Sequence, residues 1–283
     1  MIRWIFLLLL LPFSIHTHGQ TEKALLWRIS GKDLARPSYL YGTIHMICPD
    51  DLRIGDALRQ SVENADRLYL EIDMDEPGVM MKTMKLSMLE SGTIKDLMKP
   101  ADYQRLESFM KDSIGMPMFL LNKMKPFTIM SLMYTKLLPC NKSASYEETL
   151  MKLAKKQQKK VMGLESLEDQ MAIFDQIPDT METRMLMSLI DDFHGQKAAF
   201  ANMVSAYLQK DLNMLGQMIG ESPDIDGFED LLLAKRNRKW IPVMMKELKQ
   251  SSCVFAVGAG HLPGENGVIN LLRNEGFIVS PVE

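Results

Sequence analysis

The sequence predicts an α/β fold with some α+β character: a mixed, partly parallel sheet with packed helices and large helical insertions. Three observations carry that expectation. Short apolar segments of strand type alternate with stretches of helical periodicity, the order expected of strands joined by helical crossovers. One of them, Cys253-Val254-Phe255-Ala256-Val257, contains no polar residue, as a strand buried on both faces should read. Two long blocks, around 74–158 and 175–250, are helical in pattern almost throughout.

The elements follow in chain order. Residues 24–29 read as a strand, Ser30-Gly31-Lys32-Asp33 as a turn, and 38–44 as a second strand, so the chain opens with a hairpin. A helix is expected over 51–63, with Leu52, Leu58 and Val62 on one side. Leu68, Leu70 and Ile72 alternate with Tyr69 and Glu71, which marks a strand at 67–72. Pro77 begins a helix carrying Met80, Met81, Met84 and Met88, and further helices are expected at 102–110, 128–138 and 146–157. A short strand at 160–164 leads into a helix at 167–174. The region 178–248 is helical, broken around Gly195, Gly220 and Pro223, with His194 placed at a helix C-terminus. The strand at 253–257, a helix at 267–273 and a strand at 277–279 complete a single domain over residues 20–283.

Residues 1–19 have a different character. Met1-Ile2-Arg3 is basic, Trp4 to Phe13 is apolar, and Thr17-His18-Gly19 precedes Gln20, the layout of a secretory signal peptide cut near Gly19/Gln20. A membrane span needs about 20 apolar residues, roughly twice that run. An exported protein, periplasmic or secreted, is therefore expected, with no transmembrane segment in the mature chain. The net charge of −3 comes from 33 Lys and Arg against 36 Asp and Glu, which does not describe a nucleic-acid binder. Three cysteines, Cys48, Cys140 and Cys253, permit one bridge and leave one thiol, with Cys253 the better candidate for a buried thiol. The 25 methionines suit core filling on helices, or an adaptable apolar groove.

Four strands end alike. Tyr39 to Ile44 runs into His45, Leu68-Tyr69-Leu70 into Glu71, Val161-Met162-Gly163-Leu164 into Glu165, and Val254 to Gly260 into His261. Ligands of open α/β sheets gather beyond the carboxyl ends of the strands. Two imidazoles and two carboxylates delivered to that edge suit a borderline-hard divalent ion. The first and last segments share a Gly-x-x-His pattern, Gly42-Thr43-Ile44-His45 and Gly258-Ala259-Gly260-His261. Gly42, Gly258 and Gly260 would let the backbone turn sharply or approach substrate. Glu168 is expected close behind Glu165, and Arg236-Asn237, unlike the neighbouring Arg238 and Lys239, is a candidate for polarising an oxyanion.

These motifs, with Gly163-Leu164-Glu165 and the run Gly260-His261-Leu262-Pro263-Gly264-Glu265-Asn266-Gly267-Val268, closely resemble the TraB/GumN family, which includes the TIKI-type metalloproteases. The resemblance runs from about Leu26 to Val279. It implies a divalent-metal peptidase of a non-HExxH kind, related in core to the erythromycin-esterase and ChaN-like proteins. Carried over, His45 and His261 bind metal (manganese, cobalt or zinc) with Glu71 or Glu165. The remaining carboxylate is the general base, Arg236 and Asn237 stabilise the oxyanion, and the substrate is a peptide or protein. The rival expectation is a protein of the same fold that holds a metal or haem-like ligand without turnover.

Overall fold

The computed structural model describes residues 23–222 and 227–282. The expected signal peptide and the break at Pro223 lie outside the described residues. The described chain runs β1 (Leu26–Ser30), β2 (Ser38–Thr43), α1 (Asp56–Asn64), β3 (Arg67–Ile72), α2 (Val79–Leu86), α3 (Pro100–Phe109), α4 (Pro126–Tyr134) and α5 (Tyr146–Lys156). It continues through β4 (Lys160–Glu165), α6 (Leu167–Phe174), α7 (Asp179–Asp191), α8 (Phe193–Leu208), α9 (Leu212–Gly220), α10 (Lys235–Leu248), β5 (Cys253–Gly258), α11 (Val268–Asn274) and β6 (Ile278–Pro281).

The six strands form one mixed sheet in the order β4-β3-β5-β2-β1-β6. β4, β3, β5 and β2 are parallel, and β1 is antiparallel to both β2 and β6. The α/β class is therefore as expected. The all-apolar strand β5 takes the interior position, fully buried from Cys253 to Ala256, because only a strand without polar side chains can be covered on both faces at no desolvation cost. Since four neighbours run the same way, the ends of β2, β3, β4 and β5 open onto one edge of the sheet.

Alternation along β3 divides its side chains between two environments. Leu68 and Leu70 enter the main apolar core. Arg67 and Glu71, two-residue steps on the other face, both reach α10: Arg67 pairs with Glu247 at 2.6 Å and Glu71 with Arg236 at 2.6 Å. α10 supplies its half through a buried stripe of Arg236, Asn237, Trp240, Ile241, Met244 and Leu248, while Lys235, Arg238 and Lys239 stay exposed. Periodicity thus separates the two polar residues turned inward from the basic ones turned out.

A second apolar cluster lies in the helical insertions, built from Tyr103, Leu106, Met110, Met118, Ile129, Met130 and Met133 with Leu186 and Leu189. Several methionines are core filler, whereas Met80, Met81 and Met84 on α2 are exposed. The first helix begins at Asp56 rather than near residue 51, because Cys48–Leu52 closes a turn through backbone bonds to the Cys48 carbonyl. Gly195 does not break a helix. The break is Asp192, whose side chain accepts from the Gly195 N–H and caps α8, so His194 sits in a first turn and not at a C-terminus. Cys48 and Cys140 form the disulfide, and Cys253 is the buried thiol, its pKa pushed up to about 11 by burial.

Candidate active site

His45, Glu71, Glu165 and His261 all come to the shared edge of the parallel strands. His45 follows β2 by two residues, Glu71 and Glu165 lie near the ends of β3 and β4, and His261 ends a tight turn over Ala259–His261 after β5. Gly258 stands between them. A Cβ built there would lie 3.3 Å from Glu71 Oε1, 3.5 Å from His45 Nε2 and 3.6 Å from His261 Cδ2. Two donor atoms and the edge of the His261 ring therefore border the space left by the missing side chain of Gly258. The Gly258 N–H donates to Glu71 Oε1 at 2.8 Å and fixes that carboxylate over it. Beside it a cleft of about 320 Å³ is lined by His45, Leu70, Glu71, Met74, Glu147 and Gln170 among others.

The remaining polar groups hold these donors in place. Arg236 uses all five of its N–H groups. Nε and Nη2 donate to Glu165 Oε1 at 2.9 and 2.5 Å, and Nη2 also donates to Glu71 Oε2 at 2.6 Å. Nη1 donates to His261 Nε2 at 3.1 Å and to the Leu232 carbonyl at 3.3 Å. The guanidinium also stacks on Trp240, 4.8 Å from the ring centre. The Asn237 amide nitrogen donates to the carbonyls of His261 and Asn266 at 3.2 and 2.8 Å. Every N–H of the Arg236 and Asn237 side chains has an acceptor within the protein, so donating to an oxyanion would require one of these bonds to be exchanged.

Three further positions have steric or geometric surroundings of their own. Gly42 lies in extended strand and lets β2 approach the turn after β5: its Cβ would sit 3.1 Å from Leu262 and 3.2 Å from Ala259. Gly260 makes room for Ile219 of α9, which a Cβ would meet at 2.4 Å. Glu168 is exposed and pairs with Lys82, and it is Gln170, two residues further along α6 and so on a different face, that reaches Glu71 Oε2 and Glu165 Oε1, each at 3.2 Å.

Sequence reasoning missed Glu147. Its Oε1 accepts from Thr43 Oγ1 at 2.6 Å and lies 2.8 Å from His45 Nδ1, and its Oε2 accepts from Ser145 Oγ at 2.7 Å. Glu147 lies in the first turn of α5 behind the N-cap Ser145, 102 residues from His45, and no local pattern links the two.

The charges follow from these contacts. Burial works against ionisation of Glu71, but the imidazoles of His261 and His45, the Arg236 guanidinium and the Gly258 N–H hold its carboxyl well below the usual range. Burial also disfavours the cation on His261 and pushes its pKa down to about 3. For His45, desolvation by the surrounding protein opposes the cation, yet the bond to Glu147 and the attraction of Glu71 outweigh it and raise the ring to about 9. Its side chain is 66% exposed, so solvent screens part of that attraction. Glu147 is lowered in turn: burial raises it, and the bonds from His45, Thr43 and Ser145 more than compensate.

Residues 25–281 match the TraB/PrgY/gumN family profile. The chain belongs to the TraB/PrgY/gumN family. Among its relatives is the uncharacterized protein YbaP of Shigella flexneri, 27% identical over 84% of this chain and 88% of that protein. YbaP of Escherichia coli strain K12 is 26% identical over the same shares. The metalloprotease TIKI1 of Danio rerio is 22% identical over 90% of this chain, which spans 62% of that longer protein. No solved structure matches the chain significantly.

A TIKI-type relative raises the question of a metal in this TraB-family site. Among the described residues, no three His, Cys, Asp or Glu side chains stand as placed in the geometry of an ion site. The residue types beside Gly258, two imidazoles and a carboxylate, are nevertheless those that borderline divalent ions take. The Nδ1 proton of His261 is committed to Asn237 Oδ1 at 2.7 Å, which leaves the lone pair on Nε2, where it accepts from Arg236 Nη1; an ion at Nε2 would take the place of that bond.

Proposed function

We propose that this TraB-family protein is an exported metal-dependent hydrolase acting on peptide or protein substrates. The observation that carries the reading is the space above Gly258, rimmed by His45 Nε2, Glu71 Oε1 and His261. Those three residues would hold the divalent ion (manganese, cobalt or zinc), which when bound polarises a carbonyl and lowers the pKa of its water. Glu165 faces Arg236 instead, and its role is to anchor the guanidinium that neutralises Glu71. Asn237 sets the His261 tautomer, and Gln170 ties Glu71 to Glu165. The bond to Glu147 favours the protonated ring of His45, so an ion at Nε2 would compete with a proton there.

The similarity to a metalloprotease supports the reaction class. The cleft beside the donors supports a substrate approaching from the sheet edge. Export is supported by the Cys48–Cys140 disulfide, a bond that persists in oxidising compartments. Metal content by mass spectrometry, after stripping and reloading with zinc, manganese or cobalt, tests the reading. Near-stoichiometric metal, lost in folded His45→Ala and His261→Ala, together with cleavage in a peptide screen, is the expected outcome. Metal without any cleavage would instead favour a ligand-holding protein, and no metal under any loading would remove the hydrolase reading.

A further inference from the structure

The two sides of the candidate site are built differently. His261, Glu71, Glu165 and Arg236 are buried and bonded to one another across the sheet edge and α10. His45 stands apart on an exposed loop, and its Nδ1 is met by Glu147 from the helical insertion. Glu147 is itself placed by three converging groups: Thr43 from β2, Ser145 beside it, and His45. The bond is therefore only as well defined as the contact between the loop after β2 and the turn before α5.

That contact is held twice. Ile47 and Ala144 exchange both backbone hydrogen bonds, N–H to carbonyl at 3.1 and 2.8 Å, an isolated antiparallel bridge two residues beyond His45 and three before Glu147. The Cys48–Cys140 disulfide clamps the same two segments covalently, one residue beyond Ile47 and four before Ala144. A disulfide and a two-bond bridge concentrated on so short a contact, 92 residues apart in sequence, fix local geometry as well as closing a long loop. The residues they flank are the two that form the His45–Glu147 pair.

We propose that Glu147 is the positioning residue of His45, fixing the ring so that Nε2 faces Gly258, and that the Cys48–Cys140 disulfide keeps Glu147 within reach. Reduction by a dithiol would transfer two electrons and two protons to the cysteine sulfurs, giving two thiols while the dithiol closes to its own disulfide, and would leave the loop tied by the Ile47–Ala144 bridge alone. The inference rests on the reading of the cleft as the reactive site, but its test does not depend on turnover.

The test is the imidazole spectrum of His45 in ¹⁵N-histidine-labelled mature protein without added metal. In the oxidised wild type His45 should show a protected Nδ1–H resonance. Glu147→Ala should speed its exchange at least about tenfold, the loss expected for a hydrogen bond to a charged acceptor. Glu147→Gln, which keeps an oxygen acceptor, should restore the resonance. Dithiol treatment of the wild type should weaken the resonance in the same direction while the backbone amides of the sheet keep their positions. An unchanged resonance in Glu147→Ala, equal loss in both variants, or no response to reduction would each overturn the proposal. A protein that shows the expected His45 response but cleaves no peptide would leave the positioning role standing and remove the hydrolase reading.

Discussion

The Asn237 amide fixes which nitrogen of His261 is protonated. Its NH₂ group is committed to two backbone carbonyls, so Oδ1 must face the ring, and an oxygen 2.7 Å from Nδ1 requires the proton there. The Nε2 lone pair is left to accept from Arg236 Nη1 at 3.1 Å. Asn237→Ala removes this control and strands two buried carbonyls. It should cost about 1–3 kcal/mol in chemical denaturation and weaken metal binding by about 10–100-fold. A metal affinity equal to wild type in a folded variant would contradict the assignment.

Arg236→Met tests the buried ion cluster. The guanidinium compensates Glu71 and Glu165, both nearly inaccessible, so its loss at neutral pH should destabilise the fold by about 3–5 kcal/mol. The sign with pH is fixed. Glu71 is depressed in the folded state, so its contribution is present above the ordinary carboxylate value of 4.5 and fades as pH falls through its folded value. The gap between variant and wild type should therefore narrow in acid. Urea titrations at pH 7 and pH 3.5 measure it, and a gap that widens in acid would refute the role.

Gly258→Ala is the most selective probe of the proposed ion position. The added methyl would meet Glu71 Oε1, His45 Nε2 and His261 at 3.3–3.6 Å, tight but not clashing contacts. Stability should change by no more than about 1 kcal/mol, while metal uptake and any hydrolysis are abolished. Full metal occupancy in this variant would place the ion elsewhere.

Glu182 gives a pH dependence away from the site. Burial in the second apolar cluster, only partly offset by the Phe127 N–H at 3.4 Å, raises its pKa from 4.5 to about 7. A carboxyl raised on folding costs nothing below the ordinary value and destabilises progressively as pH rises to about 7. Glu182→Gln should therefore leave stability at pH 4 unchanged and raise it at pH 8 by on the order of 2 kcal/mol. Melting curves at the two values decide it.

Much of this molecule was determined by the sequence alone. Alternation placed Glu71 on the opposite face of β3 from Leu68 and Leu70, the apolar run put β5 in the interior, and four polar strand ends foretold one shared edge. Helical spacing likewise separated Arg236 and Asn237 from Arg238 and Lys239. These are local signals, carried by a repeat of two or of 3.6 residues. The tertiary structure alone decided what depends on segments far apart: that Glu147 reaches His45, that Cys48 pairs with Cys140, and that the donors of Arg236 and Asn237 are used up within the protein. Among α2, α4 and α7 it also decided which methionines face solvent and which fill the second core. Such pairings are set by how the insertions fold back over the sheet edge, a packing that periodicity does not encode, and a side chain's last free hydrogen-bonding atom is known only when all its neighbours are in place.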